Sequence, residues 1–126
     1  MTIEKIAIKY GVPMPATCEE LNWQEETLFY WVKNSYGKLI IIGRNELEYY
    51  ILGEDVFFVH APQMHEIASF LEDKILNSQL ILDHKAEHLY IIDESDEVDF
   101  CVNVCRSQYA RAYAEMYLEL KGNNLL

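Results

Sequence analysis

In the stretch HKAEHLYIIDESDEVDFCVNVC, His84 and His88 stand four residues apart, and twelve residues further on Cys101 and Cys105 repeat that spacing. Two imidazoles and two thiols in pairs make the donor set of a structural zinc site, here in the reverse of the usual order. Such a site needs at least one pair on a knuckle or a helical turn, where side chains i and i+4 converge. In DFCVNVC, however, Phe100, Val102 and Val104 alternate with Cys101, Asn103 and Cys105, the period of a strand. Residues four apart on a strand lie roughly 13 Å from each other, too far to share an ion at S–Zn distances of about 2.3 Å. The expectation is therefore no metal and no cofactor. The cysteines are expected to behave as small buried apolar residues, and His84 and His88 to flank a turn, exposed or hydrogen-bonded.

The acidic run DESDEVD (Asp93 to Asp99) offers hard oxygen ligands of the kind calcium takes. A calcium loop beginning at Asp93 needs glycine at its sixth position and glutamate at its twelfth, and Val98 and Val104 stand there. A solvated hairpin loop is the expectation. His60, His65 and Glu66 bracket the start of an apolar-periodic segment, and a histidine beside a carboxylate is suited to acid–base work or a catalytic metal. A small metal-dependent enzyme built on these three is a lower-ranked reading, which their convergence in one pocket would favour. No GxSxG, GxGxxG or phosphate-loop pattern occurs, and the five glycines form no cluster.

The elements that would carry these residues follow from periodicity. TLFYWVK (Thr27 to Lys33) and LIIIG flank the turn signal Asn34-Ser35-Tyr36-Gly37, and EYYIL and VFFVH flank Gly53-Glu54-Asp55, so two hairpins are predicted. Pro13 and Pro15 make the start extended or irregular, with a short helical turn capped by Thr17. Met64, Ile67, Ala68, Leu71 and Ile75 recur at helical spacing behind Pro62. LILD, HLYIID and DFCVNV read as further strands. SQYARAYAEMYLELK reads as a closing helix, with Ser107 as its cap and Gly122 as its stop. The predicted class is α+β: an antiparallel sheet, a meander of hairpins, with two amphipathic helices packed on one face, in a single domain over residues 1–126.

Nine Tyr, five Phe and two Trp are present, many of them in predicted strands. In a sheet covered on one face about half the strand residues point outward, so some of Tyr30, Tyr49, Tyr50 and Phe57 are expected to be exposed as an interaction surface. The net charge of −11 repels phosphate and anionic lipid, which disfavours direct nucleic-acid or membrane binding. Three cysteines are too few for a disulfide scaffold, and no segment approaches a secretory signal or a membrane span, so a cytoplasmic location is expected.

Two segments carry a resemblance. HAPQMHEIASFLEDK looks like an "APT-x-x-E-hydrophobic-x-x-W-L" helix start, and ARAYAEMYLELKGNNLL resembles an "ARAKMLIYLLEN-x-LL" ending. With the TLFYW strand before them, they resemble small uncharacterised proteins encoded in phage and prophage regions of gut-dwelling anaerobic bacteria. The likeness runs from about Thr17 and departs at Phe70, where the pattern has tryptophan, and at Gln63, where it has threonine. It implies an intracellular accessory protein of a mobile element, with no catalytic residue to carry over. The leading expectation is a non-enzymatic protein-interaction module of unknown partner, self-associating through a sheet face or edge. The alternative is an acidic effector that mimics nucleic acid and blocks a host nucleic-acid-handling protein.

Overall fold

In a computed structural model of the chain, residues 2–49, 57–105 and 107–126 are described. Contacts divide the chain into two compact units, Met1–Gln63 and Met64–Leu126. The class is α+β and the sheets are antiparallel. Among the described residues the strands fall into two three-stranded sheets rather than one meander.

The first unit opens with a helix, α1 (Ile3–Tyr10), where an extended start was expected. The Thr2 hydroxyl accepts from the Lys5 N–H at 3.2 Å, and Gly11, at φ 66°, ends the helix in the left-handed region that glycine enters at no steric cost. The influence of Pro13 and Pro15 does not reach back past Gly11. Pro15 instead opens α2 (Pro15–Leu21), two residues before the expected Thr17 cap, because a proline at the first helical position gives up a bond that position never makes.

Strand β1 (Phe29–Lys33) is central, with β2 (Leu39–Gly43) on one side and β3 (Phe58–Ala61) on the other. The β1–β2 hairpin turns where its Asn–Gly signal stands: Asn34 Oδ1 accepts from the N–H groups of Tyr36 and Lys38, and Gly37 takes φ 76°. Arg44–Tyr49 is a 3-10 helix, so the first two residues of the expected EYYIL strand are not extended. The other three, with the Gly53-Glu54-Asp55 turn, lie outside the described residues.

The run of apolar residues in β1 is explained by burial on both faces, which removes the alternation a half-exposed strand would show. On one face Trp31 and Phe29 pack with Ile41, Val59 and Ala61 against Ala7, Val12 and Cys18. On the other, Tyr30 and Val32 pack with Ile40, Ile42, Phe58 and Leu47 of the 3-10 helix.

The second unit holds α3 (Met64–Lys74), the consecutive strands β4 (Gln79–Asp83), β5 (His88–Ile92) and β6 (Val98–Asn103), and α4 (Tyr109–Gly122). Leu89 and Ile91 are buried in the central strand. Their cross-strand neighbours are Leu82 and Val102 for the first, and Leu80 and Phe100 for the second. α3 packs on α4 and β4, and α4 on β5 and β6, with Ile67, Leu71, Met116 and Leu120 buried between. Gln108 rather than Ser107 stands at the N-cap position of α4, and Gly122 is the helix's last residue. Among the described residues no helix is long and apolar enough to cross a membrane.

Candidate functional site

The residues whose types promised chemistry are dispersed. Cys101 lies on β6 and Cys105 two residues past its end, both exposed, which corrects the expectation of burial. The alternation in DFCVNVC turns Phe100, Val102 and Val104 toward the interior, so the thiols take the opposite side. Cys18 is the buried one, its Sγ 3.5 Å from the Pro13 carbonyl oxygen. His84 is exposed and within 3.3 Å of the Tyr109 hydroxyl, while His88 opens β5 opposite Asp83 and Asn103. The acidic loop is an ordinary reversal, since Asp93 Oδ1 accepts from the N–H groups of Ser95 at 2.8 Å and Glu97 at 3.0 Å. His60 belongs to the first unit and His65 and Glu66 to the second. Among the described residues no group of three or more His, Cys, Asp or Glu is arranged to hold a metal ion.

The aromatic candidates separate too. Tyr30 is only 5% exposed, a correction to its reading as surface. It sits on the central strand, where both faces are covered, stacked on Phe58 at 4.9 Å between ring centres. Tyr49 is 70% exposed, but on the 3-10 helix rather than on a strand. Tyr50 lies outside the described residues, and Phe57, half-buried, precedes β3.

Phe57 leads to the feature that the sequence does not announce. In the β1–β2 hairpin the Asn34 N–H donates to the Lys38 carbonyl, and past the far end the Arg44 N–H donates to the Leu28 carbonyl, both at 2.9 Å. Hydrogen-bonded pairs recur at every second residue of an antiparallel ladder, so Tyr30 and Val32 spend their backbone groups on β2. Phe29 and Trp31 then turn theirs toward β3, where their partners are Ala61 and Val59. It follows that the N–H and C=O groups of Phe58 and His60 point away from β1, along the outer edge of β3. Among the described residues no strand pairs with that edge.

A groove of about 520 Å3 runs beside it, walled by Phe57, Phe58, Val59 and His60 on one side and by Glu19, Asn22, Trp23 and Gln24 on the other. The second wall is the end of α2 and the turn after it. Asn22 ends the helix in the left-handed region at φ 47°, and the Gln24 side-chain amide donates to the Asn22 carbonyl at 2.9 Å and to its Oδ1 at 3.0 Å.

His60 is held in one form. The Thr27 hydroxyl, almost fully buried, donates its single proton to the Phe29 carbonyl at 2.9 Å, so toward His60 Nδ1, 3.3 Å away, it acts as acceptor. The ring proton of the neutral imidazole therefore sits on Nδ1, and Nε2 keeps its lone pair. Burial lowers the His60 pKa, and the ring packs edge-on against Tyr30 and Phe58, so it is neutral at pH 7.

The fold and this groove define an α+β protein in which, among the described residues, the outer edge of β3 is unpaired and lies beside a groove. Compared with known proteins, the chain matches no family model, no curated protein and no solved structure at a significant level.

Proposed function

We propose that the protein is a non-enzymatic interaction module that receives an extended segment of another protein along the outer edge of β3. The observation that carries this is the pair of outward-facing backbone groups at Phe58 and His60 beside a groove within the size range of binding pockets. Strand addition asks nothing of side-chain reactivity, since backbone bonds supply attachment and the walls supply choice. The cytoplasmic setting rests on the cysteine count, and service to a phage or other mobile element rests on the resemblance of the helix starts and endings. The charge of −11 supports a second reading, an acidic effector that blocks a basic nucleic-acid-handling protein.

The test is panning of a displayed library of short peptides against the native protein, with two variants as controls. His60→Pro removes an outward N–H while sparing the bonds of Val59 and Ala61 to β1, and proline is tolerated on an edge strand in that orientation. His60→Val keeps the N–H and loses the imidazole. Enriched peptides are expected to bind the native protein and His60→Val but not a folded His60→Pro. Equal binding to all three would refute attachment through the edge.

A further inference from the structure

We infer that the segment taken by β3 is basic, with Lys or Arg at alternate positions and apolar or aromatic residues between them. The inference rests on the edge-binding reading above and adds the chemistry of the partner. Among the described residues Glu19 is the charged side chain of the groove lining, the Lys33 ammonium lies 5.6 Å from the centre of the Phe57 ring, and the exposed Glu20 and Glu25 flank the turn that carries Asn22 and Gln24. Among the described residues Glu26 is the acid of this stretch paired with a cation, Arg44 at 3.1 Å. A guest carrying negative charge would face the carboxylate of Glu19 and those of Glu20 and Glu25 beside it, whereas a cation is attracted to them.

The period of a strand sets the pattern. Side chains of an added strand alternate between the two faces of the sheet. Those on the face where α2 packs reach the wall of Glu19, Asn22 and Gln24, all exposed and polar or acidic. Those on the opposite face lie beside Phe58 and His60, whose rings are 5.5 Å apart and uncharged at neutral pH. The first set fits Lys or Arg, and the second fits Val, Ile or an aromatic residue.

The experiment is amide hydrogen exchange followed by NMR on the full chain, alone and with blocked six-residue peptides of alternating Lys and Val or alternating Glu and Val. In the free protein the amides of Phe58 and His60 are expected to exchange quickly and those of Val59 and Ala61 slowly. The Lys–Val peptide is expected to slow Phe58 and His60. Its affinity should fall as salt rises, and by about two- to fivefold in Glu19→Gln, the effect of one exposed ion pair. If both peptides slow these amides alike, the basic pattern is overturned and the edge reading stands. If neither does, both fall. If Phe58 and His60 are slow in the free protein and quicken on dilution, the occupant is a second copy of the chain, and the basic segment is overturned.

Discussion

Replacing Trp31 by phenylalanine tests whether β1 is anchored through one carbonyl shared by two donors. Trp31 is fully buried and its Nε1–H donates to the Pro13 carbonyl oxygen at 2.9 Å, and the Cys18 thiol reaches the same oxygen at 3.5 Å. Phenylalanine removes the strong donor and leaves the thiol, a weak one. A poorly satisfied buried acceptor costs about 1–3 kcal/mol. The space vacated by the smaller ring adds roughly 1 kcal/mol, so Trp31→Phe should lose about 2–4 kcal/mol, a large share of the ~5–15 kcal/mol that holds a typical domain. Trp23, 4% exposed and in the same unit, remains as the fluorescent reporter for urea unfolding. Cys18→Ala should cost less on its own. The two together should cost more than their sum by about 0.5 kcal/mol or more, because only the double variant strips the carbonyl of both donors. A loss below about 1 kcal/mol for Trp31→Phe, or additivity in the double variant, would show that the shared carbonyl does not anchor the strand.

Two further outcomes follow from groups whose environments are set by the fold. Burial pushes the Cys18 thiol up to about 12, outweighing the lowering effect of the neighbouring Trp31 N–H, while Cys101 and Cys105 are exposed. A thiol reagent at pH 8 should therefore modify two cysteines quickly and the third only after denaturation, and fast labelling of all three would contradict the burial of Cys18. For His60 the folded pKa lies below the ordinary 6.5, so as pH falls past that value the unfolded chain takes up the proton first. Its contribution to stability is complete above about pH 6.5, declines below it and levels off under the folded pKa. The melting temperature of the native protein should drop more steeply between pH 7 and 5 than that of His60→Val, and parallel curves would count against a partly buried, neutral imidazole.

Elements were legible where local signals agreed with their tertiary setting. Asn34 and Gly37 mark the hairpin turn, the apolar runs FYWVK and LIIIG are β1 and β2, and the faces of α3 and α4 follow helical spacing. Helix α1 was legible in principle, because Ile3, Ile6, Ala7 and Tyr10 recur at three and four between Thr2 and Gly11, yet the prolines after Gly11 drew the reading. Tyr49 shows the opposite failure. An aromatic residue with high strand propensity lies on a 3-10 helix that follows β2 directly, since strand propensity expresses fit to a pleated, half-buried surface rather than a backbone preference. Tyr30 and the cysteines turned on which faces are covered, a property of the assembled sheet. The groove was hidden for the same reason: sequence marks VFFVH as extended, but which of its backbone groups face outward depends on the register with β1.

That register also limits what the edge can do by itself. Phe58 and His60 offer two donors and two acceptors. At about 0.5–1.5 kcal/mol net for each bond, four bonds give roughly 2–6 kcal/mol, against an association cost of about 4–15 kcal/mol. Backbone pairing alone would leave a guest unbound. β3 is only four residues long and runs into Pro62, and shortness and proline are among the devices by which sheet edges avoid indiscriminate pairing. The same features that protect this edge from aggregation thus make binding depend on its walls. In the binding mode proposed above, Glu19 and the uncharged faces of Phe58 and His60 supply the remainder, and a partner lacking complementary cations binds more weakly although its backbone can pair.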